Sequence, residues 1–293
     1  MTTEKKSLRA LLDRKELIVA PGIFDLISLK LADRQGFDCL YMTGYGTVAS
    51  YLGLPDAGLA TYTDMVNRVA AFCGATSTPI VCDGDTGYGG LLNVAHSVEG
   101  YMRAGAAAIQ LEDQEFPKKC GHTKGRRVIS AEDMAAKIRV ATDARGSNRD
   151  FLIIARTDAR SALGLDEALR RADAYLNAGA DMLFVESPES LDELAAIGRR
   201  FDAPLVANMV EGGRTPQPTA RELHDMGFAL AIHPALGFLT MGRALAEAYG
   251  HLKQNRDTLG YDGVAQFEDF SRLVGFERIW EFDEKYRALD TRD

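Results

Sequence analysis

Two aspartates flanking one glycine, Asp83-Gly84-Asp85, open the run DGDTGYGG, whose side chains offer oxygen ligands and little else. A second acidic pair, Glu112-Asp113, ends the segment AAIQLED, and Asp56 lies in LPDAG. Asp83, Asp85, Glu112 and Asp56 suit a hard cation. Mg²⁺ takes oxygen ligands, keeps several waters, and is usually held through one or two carboxylates plus substrate oxygens. Zinc fits less well, because no compact Cys/His set is present. DGDTGYGG also has the look of a calcium loop or a phosphate-binding loop, but lacks the terminal Glu of the first and the Lys-Ser/Thr of the second. Arg156, in ARTD, has the geometry to clamp a carboxylate bidentately; its alternative is an ion pair with a neighbouring acid such as Glu186. The third feature is PKKCGHTKGRR, where Lys118, Lys119, Lys124, Arg126 and Arg127 surround Cys120. Such a field favours the thiolate, and a thiol of lowered pKa can act as general acid toward a carbanion-like intermediate. A solvated basic loop with an incidental thiol is the plainer alternative.

These groups are far apart in the chain, so the elements between them must bring them together. Eight strand-length apolar runs recur: LIVAPG from Leu17, CLYMTG from Cys39, PIVCDGD from Pro79, AAIQLED from Ala107, FLIIARTD from Phe151, DMLFVES from Asp181, PLVANM from Pro204 and ALAIHP from Ala229. Most are followed by helix-forming sequence. SAEDMAAKIRVATDA starts with a capping-box pattern, Ser130-x-x-Asp133, while LDEALRRADAYLNAG and TARELHDMG stop at Gly179 and Gly227. Strand–helix alternation implies a parallel sheet with helices outside. Eight such units without a Pro/Gly/Ser-rich linker predict one (β/α)8 barrel domain over 1–293, with a helical extension over about 262–293. Chemistry in that fold gathers at the C-terminal ends of the strands. Those ends carry Thr43-Gly44-Tyr45-Gly46, Asp83 and Asp85, Glu112, Arg156, Glu186, Asn208 and His233. The glycines let backbone N–H groups of the Thr43–Gly46 segment turn toward a carboxylate, or mark a tight turn alone. His233 suits polar recognition, or a satisfied strand-end histidine.

The 293 residues are 46% hydrophobic and 26% charged, with a formal net charge of −8, a balance that argues against general nucleic-acid or anionic-membrane binding. The N-terminal stretch lacks the apolar core of a signal peptide, and no apolar run reaches membrane-spanning length. Four dispersed cysteines, two of them (Cys39 and Cys82) inside apolar runs, complete the expectation of a reduced, cytoplasmic enzyme.

KKCGH at 118–122 resembles the signature of isocitrate and 2-methylisocitrate lyases, within the isocitrate lyase/phosphoenolpyruvate mutase superfamily. The resemblance runs along nearly the whole chain, through YMTGYGTVASYLGLPDAG, DGDTGYGG, LEDQ, ARTDAR, NMVEGGRTP and AIHP. It implies a Mg²⁺-dependent barrel (Mn²⁺ a substitute) whose C-terminal helices are swapped between subunits of a homotetramer. It further implies Asp85 as the principal metal ligand, with Asp83, Asp56 and Glu112 holding metal waters, and Thr43, Gly44 and Tyr45 around the carboxylate of a 2-oxo acid. Arg156 matches a substrate-binding arginine, Cys120 the residue that protonates the enolate product, and Tyr41 a tyrosine near the substrate hydroxyl and candidate base. Lys118, Gly121 and His122 complete a lid signature; Glu186, Asn208 and His233 match pocket residues. The implied reaction is carbon–carbon cleavage of a 2-hydroxydicarboxylate of the 2-alkylmalate or 2-methylisocitrate type. Phosphonomutase chemistry of the carboxyphosphonoenolpyruvate type and hydrolysis or decarboxylation of oxaloacetate are the alternatives.

Overall fold

The computed structural model describes residues 7–121 and 125–289. His122 and Lys124 lie outside the described residues. Eight parallel strands pair in chain order and close into one barrel: β1 (Ile18–Ile23), β2 (Leu40–Met42), β3 (Ile80–Asp83), β4 (Ala108–Glu112), β5 (Leu152–Thr157), β6 (Met182–Val185), β7 (Leu205–Asn208) and β8 (Leu230–His233). Each of the eight apolar runs supplies one of them. Helices α1 (Leu8–Leu12), α2 (Leu26–Arg34), α3 (Gly44–Leu52), α4 (Tyr62–Ala75), α5 (Leu91–Ala104) and α6 (Ala131–Arg145) accompany the first half. Then come α7 (Arg160–Leu163), α8 (Leu165–Asn177), α9 (Leu191–Arg200), α10 (Ala220–Asp225) and α11 (Leu236–Asn255). The chain forms two compact units, Met1–Phe238 with the barrel, and Leu239–Asp293 with most of α11, α12 (Phe267–Val274) and α13 (Phe276–Tyr286). Among the described residues no helix is long and apolar enough to cross a membrane.

Side chains alternate along a strand, and here the alternation separates two cores. Tyr41, Val81, Ala108, Leu152, Ile154, Met182, Phe184, Val206, Leu230 and Ile232 fill the barrel interior, joined by Leu8 and Leu11 of α1. Leu40, Met42, Ile80, Cys82, Ile109, Leu111, Ile153, Ala155, Leu183 and Ala207 point outward against helix residues such as Leu29, Val69, Phe72 and Ile138. Burial on both faces is why the strands read as continuous apolar runs instead of alternating ones. Followed to the C-terminal ends, the inward parity selects Asp83, Gln110, Glu112, Arg156, Glu186 and Asn208.

Local signals set the helix ends. Gly179 and Gly227 take φ of +107° and +97°, a region that glycine enters without a Cβ penalty. At α6, Ser130 Oγ accepts the Asp133 N–H at 3.0 Å, but no return bond from the Asp133 side chain forms, so the expected capping box is only half made.

Just outside the inward-facing ring, Asp113 is fully buried and accepts from Thr157 Oγ1 (2.7 Å), the Asp158 N–H (2.8 Å), Tyr175 Oη (2.7 Å) and Arg171 Nη1 (3.2 Å). It ties α8 to the ends of β4 and β5. Removing it strands several buried donors, one of them a guanidinium. Asp113→Ala is therefore expected to lower unfolding free energy by about 3–5 kcal/mol, measured by urea denaturation. A loss below about 1 kcal/mol would show that apolar packing alone holds α8.

Candidate active site

The rim of the barrel concentrates charge that the fold then buries. Asp56, Asp83, Asp85 and Glu112 are each 7% exposed or less. Asp83 ends β3, and its Oδ1 accepts the Asp85 N–H at 3.1 Å. Asp85 has φ +48°, so the regular strand geometry that would point the two aspartates the same way stops before Asp85. Asp56 arrives from the loop between α3 and α4, and Glu112 ends β4 beside Arg156 of β5.

Lys118 reaches into this group. Its Nζ is 2.5 Å from both Asp56 Oδ1 and Asp85 Oδ1, yet neither oxygen has a hydrogen bond of good geometry, and Glu112 Oε1 is likewise buried without a partner. Burial works against the ammonium, but the charges of Asp85 and Asp56 outweigh it and hold Lys118 well above its ordinary pKa. Burial raises the carboxyls of Asp83, Asp85 and, most of all, Glu112. Lys118 and Arg156 face the four carboxylates, so the ionised rim carries more negative than positive charge. The unpartnered Glu112 Oε1 and the crowding of four carboxylates fit a divalent cation. Among the described residues, no three acidic, His or Cys side chains converge tightly enough to enclose an ion.

Gln110 joins the cluster to Tyr41: it accepts from Tyr41 Oη at 3.2 Å and its Nε2 is 3.5 Å from Asp83 Oδ1. Burial, then the charge of Asp83, raises the Tyr41 phenol well above its ordinary value. The sequence carried a signal for Gln110, a lone polar residue two positions before Glu112 and hence on the same strand face.

At the start of α3, Thr43 Oγ1 caps the helix. A Cβ built on Gly44 would lie 2.4 Å from Asp83 Oδ2, so only glycine lets this helix terminus approach the carboxylate. The N-terminal dipole and N–H groups of α3 favour negative charge there. Tyr45 is 40% exposed and stacks on Phe238, ring centroids 5.0 Å apart.

Arg156 is more committed than its sequence position suggests. Its Nε and Nη2 each donate to Asp158 at 2.9 Å, while Nε lies 3.4 Å from Glu112 Oε2 and Nη2 3.3 Å from Glu186 Oε2. The expected ion pair with Glu186 is present, and the bidentate fork is engaged by Asp158, a partner the sequence reading did not single out. Burial opposes the Asp158 charge, but Arg156 and then Arg126 outweigh it and keep its pKa below the ordinary value. Asn208 Nδ2 donates to Glu186 Oε2 at 3.0 Å.

The β4–α6 connection leaves the barrel as a short antiparallel stalk, with Gln114 bridged to Val128 and the Glu115 N–H donating to Arg127 O at 2.8 Å. Gln114 also grips the backbone of Lys119 from both sides, at 3.0 and 2.8 Å. Gly121 then packs so closely that a Cβ would sit 2.3 Å from Arg156 Nη2. Cys120, partly exposed, precedes it; Cys39, Cys73 and Cys82 are buried. The segment therefore lies over the charged rim. His233 stands apart: it shares the parity of outward-facing Ala231 on β8, and its Nδ1 is 3.6 Å from Glu211 Oε1.

A closed (β/α)8 barrel with an acidic rim, a buried arginine and a glycine-bearing loop over them has the architecture of a family of carbon–carbon and carbon–phosphorus bond enzymes. Residues 8–252 match the model of the phosphoenolpyruvate phosphomutase family, and the chain belongs to that family, within the isocitrate lyase/phosphoenolpyruvate mutase superfamily. It is 46% identical to 2,3-dimethylmalate lyase of Eubacterium barkeri, covering 98% of this chain and 99% of that one. It is 41% identical to the chloroplastic carboxyvinyl-carboxyphosphonate phosphorylmutase of Arabidopsis thaliana, over 95% and 84% of the two chains. The structure of an oxaloacetate acetylhydrolase with 3,3-difluorooxalacetate superposes with a TM-score of 0.90 at 37% identity, covering 95% of each chain.

The raised carboxyls give a pH signature. Between the ordinary carboxylate value of about 4 and their raised folded values, Asp83, Asp85 and Glu112 hold protons that the unfolded chain has released. Stability without metal is thus greatest at low pH within this window and falls as pH rises. Cation binding needs the ionised acids and reverses the trend. The metal-free Tm should fall from about pH 5 to about pH 8, and added MgCl₂ should raise Tm more at the higher pH. A thermal scan in which Mg²⁺ shifts Tm equally at both pH values would contradict the assignment of the cluster as a cation site.

Proposed function

We propose that the protein is a Mg²⁺-dependent carbon–carbon lyase. Its substrate is a 2-hydroxydicarboxylate of the 2-alkylmalate or 2-methylisocitrate type, and its products are a 2-oxo acid and a carboxylate. The observation that carries this reading is the buried excess of rim carboxylates faced by Lys118, Arg156 and the Cys120 segment. Identity of 46% over almost the full length of a 2,3-dimethylmalate lyase supports it. Asp85 would be the principal ligand, with Asp83, Asp56 and Glu112 holding the waters of the cation, and Mn²⁺ would substitute. The bound cation supplies Lewis-acid polarisation and lowers the pKa of a coordinated hydroxyl.

The side chains of this protein do the rest. Thr43, Gly44 and Tyr45 present the start of α3 to the carboxylate of the 2-oxo half. Tyr41, whose Oη lies 3.2 Å from Gln110 Oε1, is the candidate base beside them. The Tyr41 phenolate takes the hydroxyl proton; as the C2–C3 bond breaks, its electron pair passes to the departing fragment, where Arg156 and Lys118 stabilise the developing negative charge. Glu186, which pairs with Arg156 and accepts from Asn208, joins Asn208 and His233 as a further pocket residue. Cys120 gives a proton to the released carbon, and His122 completes the loop signature.

In this reading the enzyme is a homotetramer that exchanges C-terminal helices. The exposed Phe267, Phe276, Ile279, Trp280 and Phe282 of α12 and α13 support it, since apolar surface of this size is normally covered by a partner. Four cysteines outside any disulfide suit the cytoplasm.

Oxaloacetate hydrolysis is the second reading, supported by the 0.90 TM-score to an oxaloacetate acetylhydrolase. The lyase reading is tested by 2-oxo acid release, coupled to lactate dehydrogenase, across 2,3-dimethylmalate, other 2-alkylmalates, 2-methylisocitrate and isocitrate, and the hydrolase reading by a separate assay of oxalate formed from oxaloacetate. The lyase should turn over one hydroxy acid, lose that activity in EDTA, and lose about 10²–10⁴-fold in kcat on Cys120→Ser, with folding and Mg²⁺ affinity intact. Undiminished turnover in the Cys120 variant would sink the protonation role. Oxaloacetate consumed with release of oxalate, and no hydroxy acid cleaved, would move the assignment to the hydrolase.

A further inference from the structure

Arg126 belongs to the same β4–α6 connection as Cys120, and no motif in the sequence distinguishes it from its basic neighbours. Its side chain is nevertheless only 1% exposed, whereas that of Arg127 is 78% exposed. The buried guanidinium is shared among three acceptors. Nη1 donates to Asp158 Oδ1, and Nη2 donates to Ser161 Oγ at 2.5 Å and Ser187 Oγ at 3.3 Å. Asp158 is the carboxylate that also receives both forks of Arg156. One buried acid therefore carries two guanidinium groups, one from the connection and one from the rim.

A second route joins the same parts. Ser187 Oγ, an acceptor for Arg126, lies 3.1 Å from Gly121 O and 2.9 Å from Glu186 Oε1, and its single proton serves one of them at a time. Ser187 holds a φ of +59°, uncommon for a residue with a Cβ, which fixes its hydroxyl between the connection and the rim. Gly121 meanwhile rests directly on Arg156.

We infer that Arg126 is a positioning residue that acts through Asp158 on Arg156, so that seating of the Cys120 segment and the aim of the anion-binding arginine are set together. The inference rests on the proposed role of Arg156. With Arg126 present, the Asp158 charge is divided between two cations, which leaves Arg156 its contacts toward Glu112 and Glu186. Without it, the full carboxylate charge falls to Arg156 and draws the guanidinium back from the rim. The Cys120 segment loses its buried anchor in the same step.

Two readouts separate these effects in the full-length protein. Iodoacetamide labelling followed by mass spectrometry reports how the Cys120 segment is seated, because the other three cysteines are 4% exposed or less. Calorimetry with oxalate and Mg²⁺ reports anion binding, oxalate being a planar mimic of a 2-oxo acid enolate. Arg126→Gln should speed labelling of Cys120 and weaken oxalate binding, each by about tenfold. Arg126→Lys, which keeps the charge but not the fork, should bring oxalate affinity back to within about threefold of wild type. Ser161→Ala, which removes one anchor and no charge, should speed labelling while oxalate affinity holds. Wild-type oxalate affinity in Arg126→Gln would overturn the inference. So would equal losses in Arg126→Gln and Arg126→Lys that track a fall in Tm, the mark of a purely structural role. If the wild type itself binds no oxalate with Mg²⁺, the lyase reading fails and the anion half of the inference falls with it; the labelling comparison still decides the seating half by itself.

Discussion

The rest of this structure depends on placing more negative charge at the mouth of the barrel than the protein itself neutralises. Four carboxylates, from the tips of β3 and β4, the turn after β3 and the loop between α3 and α4, are withdrawn from water, with Lys118 set between Asp56 and Asp85 and Arg156 beside Glu112. Burying ions costs several kcal/mol each unless partners compensate. The cluster is therefore destabilising by itself and has to be held in place by the surrounding fold.

Two features of that support are concrete. Below the rim, Asp113 uses its buried oxygens to gather Thr157, the Asp158 backbone, Tyr175 and Arg171. Next to it, Asp158 gathers Arg156 and Arg126. These adjacent networks belong to opposite faces of the same strands: Arg156 points into the barrel, while Thr157 points out toward α8. Strand alternation lets a rigid outer layer support a charged inner layer at a distance of one residue. The arrangement also explains the two close glycine contacts. Gly44 and Gly121 bring backbone to within van der Waals distance of Asp83 and Arg156, where any Cβ would push the charged groups apart.

Much of the fold is legible in the sequence for a simple reason. Strands buried on both faces must be apolar throughout, so runs such as FLIIA and PIVC announce themselves, and the polar residues that end them announce the rim. Parity carries the argument further: Glu112 and Arg156 fall on the inward face by counting from Ala108 and Leu152. The same counting, applied to AAIQLED, marks Gln110 as a buried polar link between Tyr41 and Asp83. It also puts His233 one position out of phase with Leu230 and Ile232.

What the sequence by itself determined is the barrel, the ends of its strands and the chemical type of the residues gathered there, because these follow from local apolarity, a two-residue period and glycine punctuation. Only the tertiary structure decided which charges pair. Nothing local distinguishes Arg126 from Arg127, yet one is buried against Asp158 and the other lies exposed beside Glu115. Nothing local tells Asp158 to take both forks of Arg156, or places Lys118 between Asp56 and Asp85. Coulombic pairing in a buried site depends on distance and on removal of water, and both are set by residues far apart in the chain.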